Sequence, residues 1–154
     1  MATHEYEHRQ IGVAVLALVI LLAILPLRHF VYAAASRSGG VLTLMAVVLL
    51  LVLLALGVLF SSLNVQVMYG HIIWSFGPGF FRRMVPLERI AEVRPCRNPW
   101  PQGLGIRRHD GVQVYAVAGG PAVELELEDG GRIRLGTNDP NGLVRAVRAA
   151  QQAD

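Results

Sequence analysis

The run Val41–Leu63, VLTLMAVVLLLVLLALGVLFSSL, contains no charged residue, and within Val41–Phe60 nine Leu, five Val and one Phe surround a single hydroxyl, that of Thr43. Twenty residues of helix are about 30 Å long, the thickness of a bilayer's hydrocarbon core. At about −0.3 to −0.6 kcal/mol for each Leu, Val or Phe near the bilayer centre, the run favours insertion by several kcal/mol. It has no polar face at any helical phase, which argues against the core helix of a soluble protein.

Upstream lies a second uncharged run, Ile11–Leu27, with Pro26 near its end. Its 17 residues are short for a span, and Phe30–Ala35 extends it if Arg28 snorkels to the interface. The expected architecture is a polar tail over 1–10, then a transmembrane hairpin of helices at 11–30 and 41–63. A competing reading takes Arg9, the apolar run and Ala33–Ala35 as a cleavable signal peptide; Arg28 and His29 interrupt that pattern. Both readings leave residues 64–154 in the cytoplasm. Arg82 and Arg83, following the second helix, tip positive-inside counting that way. Neither run has an ionisable residue in its interior, which disfavours a two-helix transporter. Ala14, Ala17, Ala46, Ala55 and Gly57 are candidates for close helix contact.

All 14 basic residues are Arg, and the net charge is +3. So small an excess gives no case for nucleic acid. Cys96 is the only cysteine, which excludes an internal disulfide and a cysteine-based zinc site. His4 and His8 alone have a four-residue spacing, and they fall in the polar tail. The serines lie in or near the apolar runs and turns with no G-x-S-x-G elbow, Gly77-Pro78-Gly79 is not a phosphate loop, and nothing pairs Cys96 with His71 or His109. The chain is therefore read as non-enzymatic and without cofactor or metal.

From residue 64 the period becomes two. Val65, Val67 and Tyr69, then Ile72–Phe76, read as a hairpin about Gly70-His71; Phe80–Val85, Ala91–Arg97 and Val112–Ala116 read as further strands, and 98–111 as loop with a possible strand at Ile106. In Ala122–Glu128 and Arg132–Leu135, Val123, Leu125, Leu127, Ile133 and Leu135 take one face, with Glu and Arg on the other. A three-residue loop would pair Glu128 with Arg132, Leu127 with Ile133 and Glu126 with Arg134, as a solvated charge ladder. Asp139 is a natural N-cap with Pro140 at the first helical position, and Leu143, Val147 and Ala150 form an apolar stripe. The expected fold is α+β: a bent antiparallel sheet or partly open barrel of six to seven strands, capped by a C-terminal helix.

Gly103-Leu104-Gly105-Ile106-Arg107, Tyr115-Ala116-Val117-Ala118-Gly119, Val123-Glu124-Leu125 and Leu135-Gly136-Thr137-Asn138-Asp139-Pro140, in that order, resemble motifs of small bacterial membrane proteins with a pleckstrin-homology-like (PH-like) domain. The resemblance spans about residues 64–150 and implies that scaffold with little chemistry. Three roles are left open by the sequence. The domain binds a protein partner or its own copies through a sheet edge or loop surface; it binds anionic lipid headgroups with Arg82, Arg83, Arg107 and Arg108; or it serves as an accessory subunit of a transport or secretion complex.

Overall fold

The computed structural model describes residues 6–99 and 105–153. The described residues open on a strand, β1 (Tyr6–Ile11), where a polar tail over 1–10 was expected. Two helices follow, α1 (Val13–Ala35) and α2 (Val41–Phe60), both long and apolar enough to cross a membrane. α1 runs through Pro26 and past Arg28 to Ala35, five residues beyond the expected end. The seam between the helices uses Ala46, Leu53 and Gly57 of α2, which lie on one stripe and are buried. At Gly57 a Cβ would sit 3.4 Å from a Val19 methyl, so its absence lets the helices approach. Ala14, Ala17 and Ala55 face outward instead.

The polypeptide then forms β2 (Ser62–Met68), β3 (His71–Phe76), β4 (Phe80–Pro86), a 3-10 turn at Leu87–Arg89, β5 (Ile90–Asn98), β6 (Gly105–His109), β7 (Val112–Ala116), β8 (Gly120–Leu127), β9 (Arg132–Gly136) and the C-terminal helix α3 (Pro140–Gln151). These strands make two sheets, ordered β1-β2-β3-β4 and β5-β8-β9-β7-β6. The expected single bent sheet or barrel of six to seven antiparallel strands is thus corrected to two sheets, of four and five strands, that do not close. β7 and β9 also run parallel. A parallel neighbour cannot be read from adjacent hairpins, because the chain passes through β8 before β9 returns beside β7.

The two sheets and α3 enclose one core. Leu63, Val65 and Val67 of β2 and Ile72, Trp74 and Phe76 of β3 meet Val123, Leu125, Ile133 and Leu135 of the second sheet, with Leu143 and Val147 closing one side. The α3 stripe is as expected from its period, and Asp139 caps the helix by accepting a hydrogen bond from the Gly142 amide at 3.0 Å. Two polar clamps fix α3 laterally: Arg148 donates to the Val93 carbonyl, and the Gln151 amide donates to the carbonyls of Leu87 and Ile90.

β1 is held by the same cap. Tyr6 Oη donates to Asp139 Oδ2 at 3.2 Å, and His8 meets the Asn138 side chain. Burial, with the Asp139 carboxylate second, pushes the Tyr6 phenol upward from its usual range, so it stays a donor at any working pH. Tyr6→Phe should lower stability by about 1 kcal/mol, the net value of one such bond, leaving the sheet intact. Denaturant titration of the full chain in detergent reads this directly, and an unchanged midpoint would show that the bond contributes nothing.

The helices meet the sheets without a linker. The Gly12 amide donates to Ser61 O and the Gly77 amide to Ser62 O, both at 2.8 Å, and the Phe60 ring packs edge-on against Phe76 with centroids 5.7 Å apart. Gly12 also lies against Val117, where an added Cβ would be 3.1 Å from that side chain. Gly77 sits in the left-handed region at φ 53°, and a Cβ there would be 2.6 Å from the Val58 carbonyl oxygen. Ile11, Gly12, Phe60–Ser62, Gly77 and Val117 therefore mark a common base where hairpin and domain join.

Candidate functional site

Two basic regions stand on different sheets. Arg82 and Arg83 lie on β4, the edge strand of the first sheet, and both are exposed. Arg83 pairs with Trp74, two residues along β3 from the Phe76–Phe80 pair beside the helix base. At about 3.3 Å per residue this puts the arginines within roughly 7 Å of that level. The hairpin tip just below them presents Phe80 and Phe81, 52% and 53% exposed, and Met84 further up is 59% exposed. The turn of this hairpin meets α2 at Gly77, which lies against the Val58 carbonyl, and the cations follow Phe80 and Phe81 along the strand.

Arg107 and Arg108 lie on β6, the edge of the second sheet. They line a hollow of about 500 Å³ together with His109, Asp110, Arg132 and Arg134. Arg82 and Arg83 are not among its lining residues, so the structure does not bring the four sequence-selected arginines together. The register also separates neighbours. Arg107 pairs with Val114 and Arg108 with Gln113, so strand alternation places Arg107 on the hollow's face and Arg108 toward the opposite face, at the rim. Arg107 is three residues of strand from Val117, about 10 Å above the base, and Arg132, beside Val112, is about 16 Å above it.

The floor of the hollow comes from β7 and β9. Val112 and Val114 are buried and form a small apolar cluster with Ala116, apart from the main core. Parallel pairing sets Val112 beside Arg132 and Val114 beside Arg134. Arg134, which lines the hollow, belongs to an ion triad whose centre is Glu124, only 3% exposed. Its Oε1 accepts from Arg94 Nη2 and its Oε2 from Arg134 Nη2, each at 2.5 Å. Burial alone would push this carboxyl up, but hydrogen bonds and charge from Arg94 and Arg134 outweigh it and hold the group below the usual carboxylate range. Arg134 Nη1 reaches toward Asn98 Oδ1 at 3.5 Å, so its guanidinium is fixed from two sides. Arg132 donates to the Asp110 carbonyl, and the Asp110 carboxylate pairs with His109 at 3.2 Å.

This triad replaces the expected charge ladder. The observed pairs are Glu124 with Arg134, Leu125 with Ile133 and Glu126 with Arg132, two residues displaced from the expected register. A shift of two keeps every side chain on its face, so the hydrophobic pattern does not discriminate between the registers. The turn decides. Leu127 N donates to Gly131 O, Gly130 takes φ 79°, and Asp129 Oδ1 accepts from the Gly131 amide, which makes Glu128–Gly130 the three-residue loop. The Glu face is also not uniformly solvated, because β5 lies beside β8 and brings Arg94 over Glu124.

Cys96 lies on β5, half-buried, and burial raises its thiol. The residues that sequence reasoning passed over are Arg132 and Arg134, read as ladder partners, and Phe80 and Phe81, read only as strand. Gly103 and Leu104 of the G-x-G-I-R motif lie outside the described residues. Compared with known proteins, the chain matches no family model and no curated protein sequence.

Proposed function

We propose that the protein is a non-catalytic, membrane-anchored binding module whose domain docks on the anionic headgroup layer of its own membrane through the β3–β4 hairpin. The observation that carries this reading is the order of side chains along β4: exposed Phe80 and Phe81 follow the turn at Gly77, which packs against the end of α2, and Arg82 and Arg83 come next along the strand. Aromatic rings favour the bilayer interface, and each juxtamembrane Arg contributes about 1 kcal/mol of attraction to anionic lipid. A height of roughly 7 Å is just under the physiological Debye length of about 8 Å, so a substantial part of the attraction survives screening. In this reading both helices cross the bacterial cytoplasmic membrane, the domain is PH-like in the sense implied by its sequence motifs, and it faces the cytoplasm.

Full-length protein in nanodiscs tests the docking. Amide hydrogen exchange over residues 78–84 should slow by about tenfold or more when phosphatidylcholine discs are replaced by discs containing phosphatidylglycerol, given roughly 1 kcal/mol from each Arg. Arg82→Gln with Arg83→Gln should abolish the difference. Equal exchange in both lipids would rule the reading out. A fragment beginning at residue 64 is unsuitable, because β1 and the first residues of β2 belong to the sheet.

A second reading has one observation in its favour. β4 is an edge strand with an open side and exposed Met84, the geometry required for strand addition by a protein partner or a second copy. Protection of β4 that persists in neutral discs and grows with protein density would select it, and cross-linking in membranes would then show whether the partner is the chain itself or a subunit of a larger complex.

A further inference from the structure

We propose that the hollow on the outer face of the five-stranded sheet is a second binding site, for a small phosphate monoester, with Arg107, Arg132 and Arg134 as the groups that hold its anion. This site lies on the other sheet and does not depend on headgroup docking by β4.

The argument starts from charge. Four arginines line one hollow of about 500 Å³, and three of them, Arg107, Arg132 and Arg134, lie on its face; the volume is within the usual range for small-ligand sites of about 300–1,000 Å³. Arg134 is committed through Nε and Nη2 to Glu124, yet that carboxylate is shared with Arg94, so the triad retains a net positive charge. Arg132 spends one N–H on the Asp110 carbonyl and keeps the rest of its fork. Arg107 has no partner among the described residues. Asp110 is the one carboxylate among the described lining residues, against four arginines. A single carboxylate ligand would leave most of this charge unmatched. A phosphate monoester carries about −1.5 to −2 at neutral pH and offers three acceptor oxygens, which suits two or three forked donors.

Geometry adds selectivity. Arg132 and Arg134 are alternate residues of β9, both pointing to this face, and Arg107 reaches it from β6 across β7. Glu124 and Asn98 hold Arg134 in place before any ligand arrives, so little ordering entropy is left to lose. The floor is apolar, made by Val112 and Val114, and accommodates a short carbon body attached to the phosphate. The organising groups come from four strands, β5, β6, β8 and β9, so the site exists only in the folded sheet.

The shared chemistry, a phosphate monoester, has two sources: a soluble metabolite-sized ester or the headgroup of a monoester lipid. Full-length protein in phosphatidylcholine nanodiscs is titrated with inorganic phosphate and with glycerol phosphate by calorimetry, and separately reconstituted in discs containing phosphatidic acid, with phosphorus NMR reading headgroup immobilisation. Saturable binding of glycerol phosphate, weakened about tenfold or more by Arg107→Gln with Arg132→Gln and unaffected by Arg82→Gln with Arg83→Gln, is the expected result for a soluble ester. Immobilisation of phosphatidic acid alone, with the same dependence on Arg107 and Arg132, assigns the site to the lipid. Arg107→Gln by itself keeps the test valid if the double variant misfolds, since Arg107 is exposed on an edge strand. Binding that is unchanged by these substitutions, or no binding of either ester, overturns the proposal. Capture of an acidic peptide in preference to phosphate overturns it too.

Discussion

Gly77→Val should destabilise the full-length protein by about 3–4 kcal/mol and lower its melting midpoint by on the order of 10–20 °C. Two costs combine. A branched residue in the left-handed region at φ 53° loses about 1–2 kcal/mol. The remainder comes from the Cβ, which would stand 2.6 Å from the Val58 carbonyl oxygen, a backbone atom at the end of a helix that cannot yield as a side chain does. Gly130→Ala is the matched control, because it shares the left-handed conformation at φ 79° but has nothing within 4 Å of the new methyl. A thermal scan in detergent should find the Gly130 variant losing only the conformational part. If both variants fall equally, the close approach between the β3–β4 turn and α2 is not a stabilising contact.

Glu124→Ala is the second large effect, a loss of about 2–3 kcal/mol. Removing the central carboxylate leaves two arginines facing each other across β8, and breaking a buried pair in this way costs about 3–5 kcal/mol when both charges are enclosed. Here Arg94 is 49% and Arg134 23% exposed, so water recovers part of that cost. The pH dependence has a definite sign. A folded carboxyl held below its unfolded value of about 4.3 contributes its full stability above that value and loses it as pH falls through the folded value. The gap between wild type and Glu124→Ala should therefore be widest near neutral pH and narrow on acidification below about pH 4. Denaturant midpoints at neutral and acidic pH measure it; a gap that widened in acid would contradict the triad.

The elements governed by local pattern were legible. The apolar runs, the strand alternation of β2, β3 and β8, the Asp139 cap and the α3 stripe each follow from residues within one turn or one strand of each other. What escaped was non-local. Tyr6–Ile11 is polar at Glu7, His8, Arg9 and Gln10 and shows no strand alternation, because its stability comes from pairing with β2, more than fifty residues away, and from Asp139 beyond the last strand. The parallel contact of β7 with β9 likewise has no local signature, and it is this contact that sets Arg132 and Arg134 beside Val112 and Val114. The register error in β8–β9 has a different origin. Two alternatives two residues apart preserve the same faces, and only the Asp129 side chain and the Gly130 conformation choose between them. Of the four arginines singled out, Arg107 lies on the hollow's face and Arg82 and Arg83 near the helix base, whereas Arg108 reaches only the rim.

If α1 and α2 cross a membrane as proposed, the pairing of β1 with β2 constrains how they insert. β1 precedes both helices and its partner β2 follows them, so the four-stranded sheet stays incomplete until both helices have been made. An even number of crossings is the only insertion that returns β2 to the compartment holding β1. A molecule with one helix left uninserted, or with the hairpin split across the bilayer, would keep an open β2 edge and an unclaimed Tyr6 partner at Asp139. Completion of the sheet would thereby report that both helices had inserted.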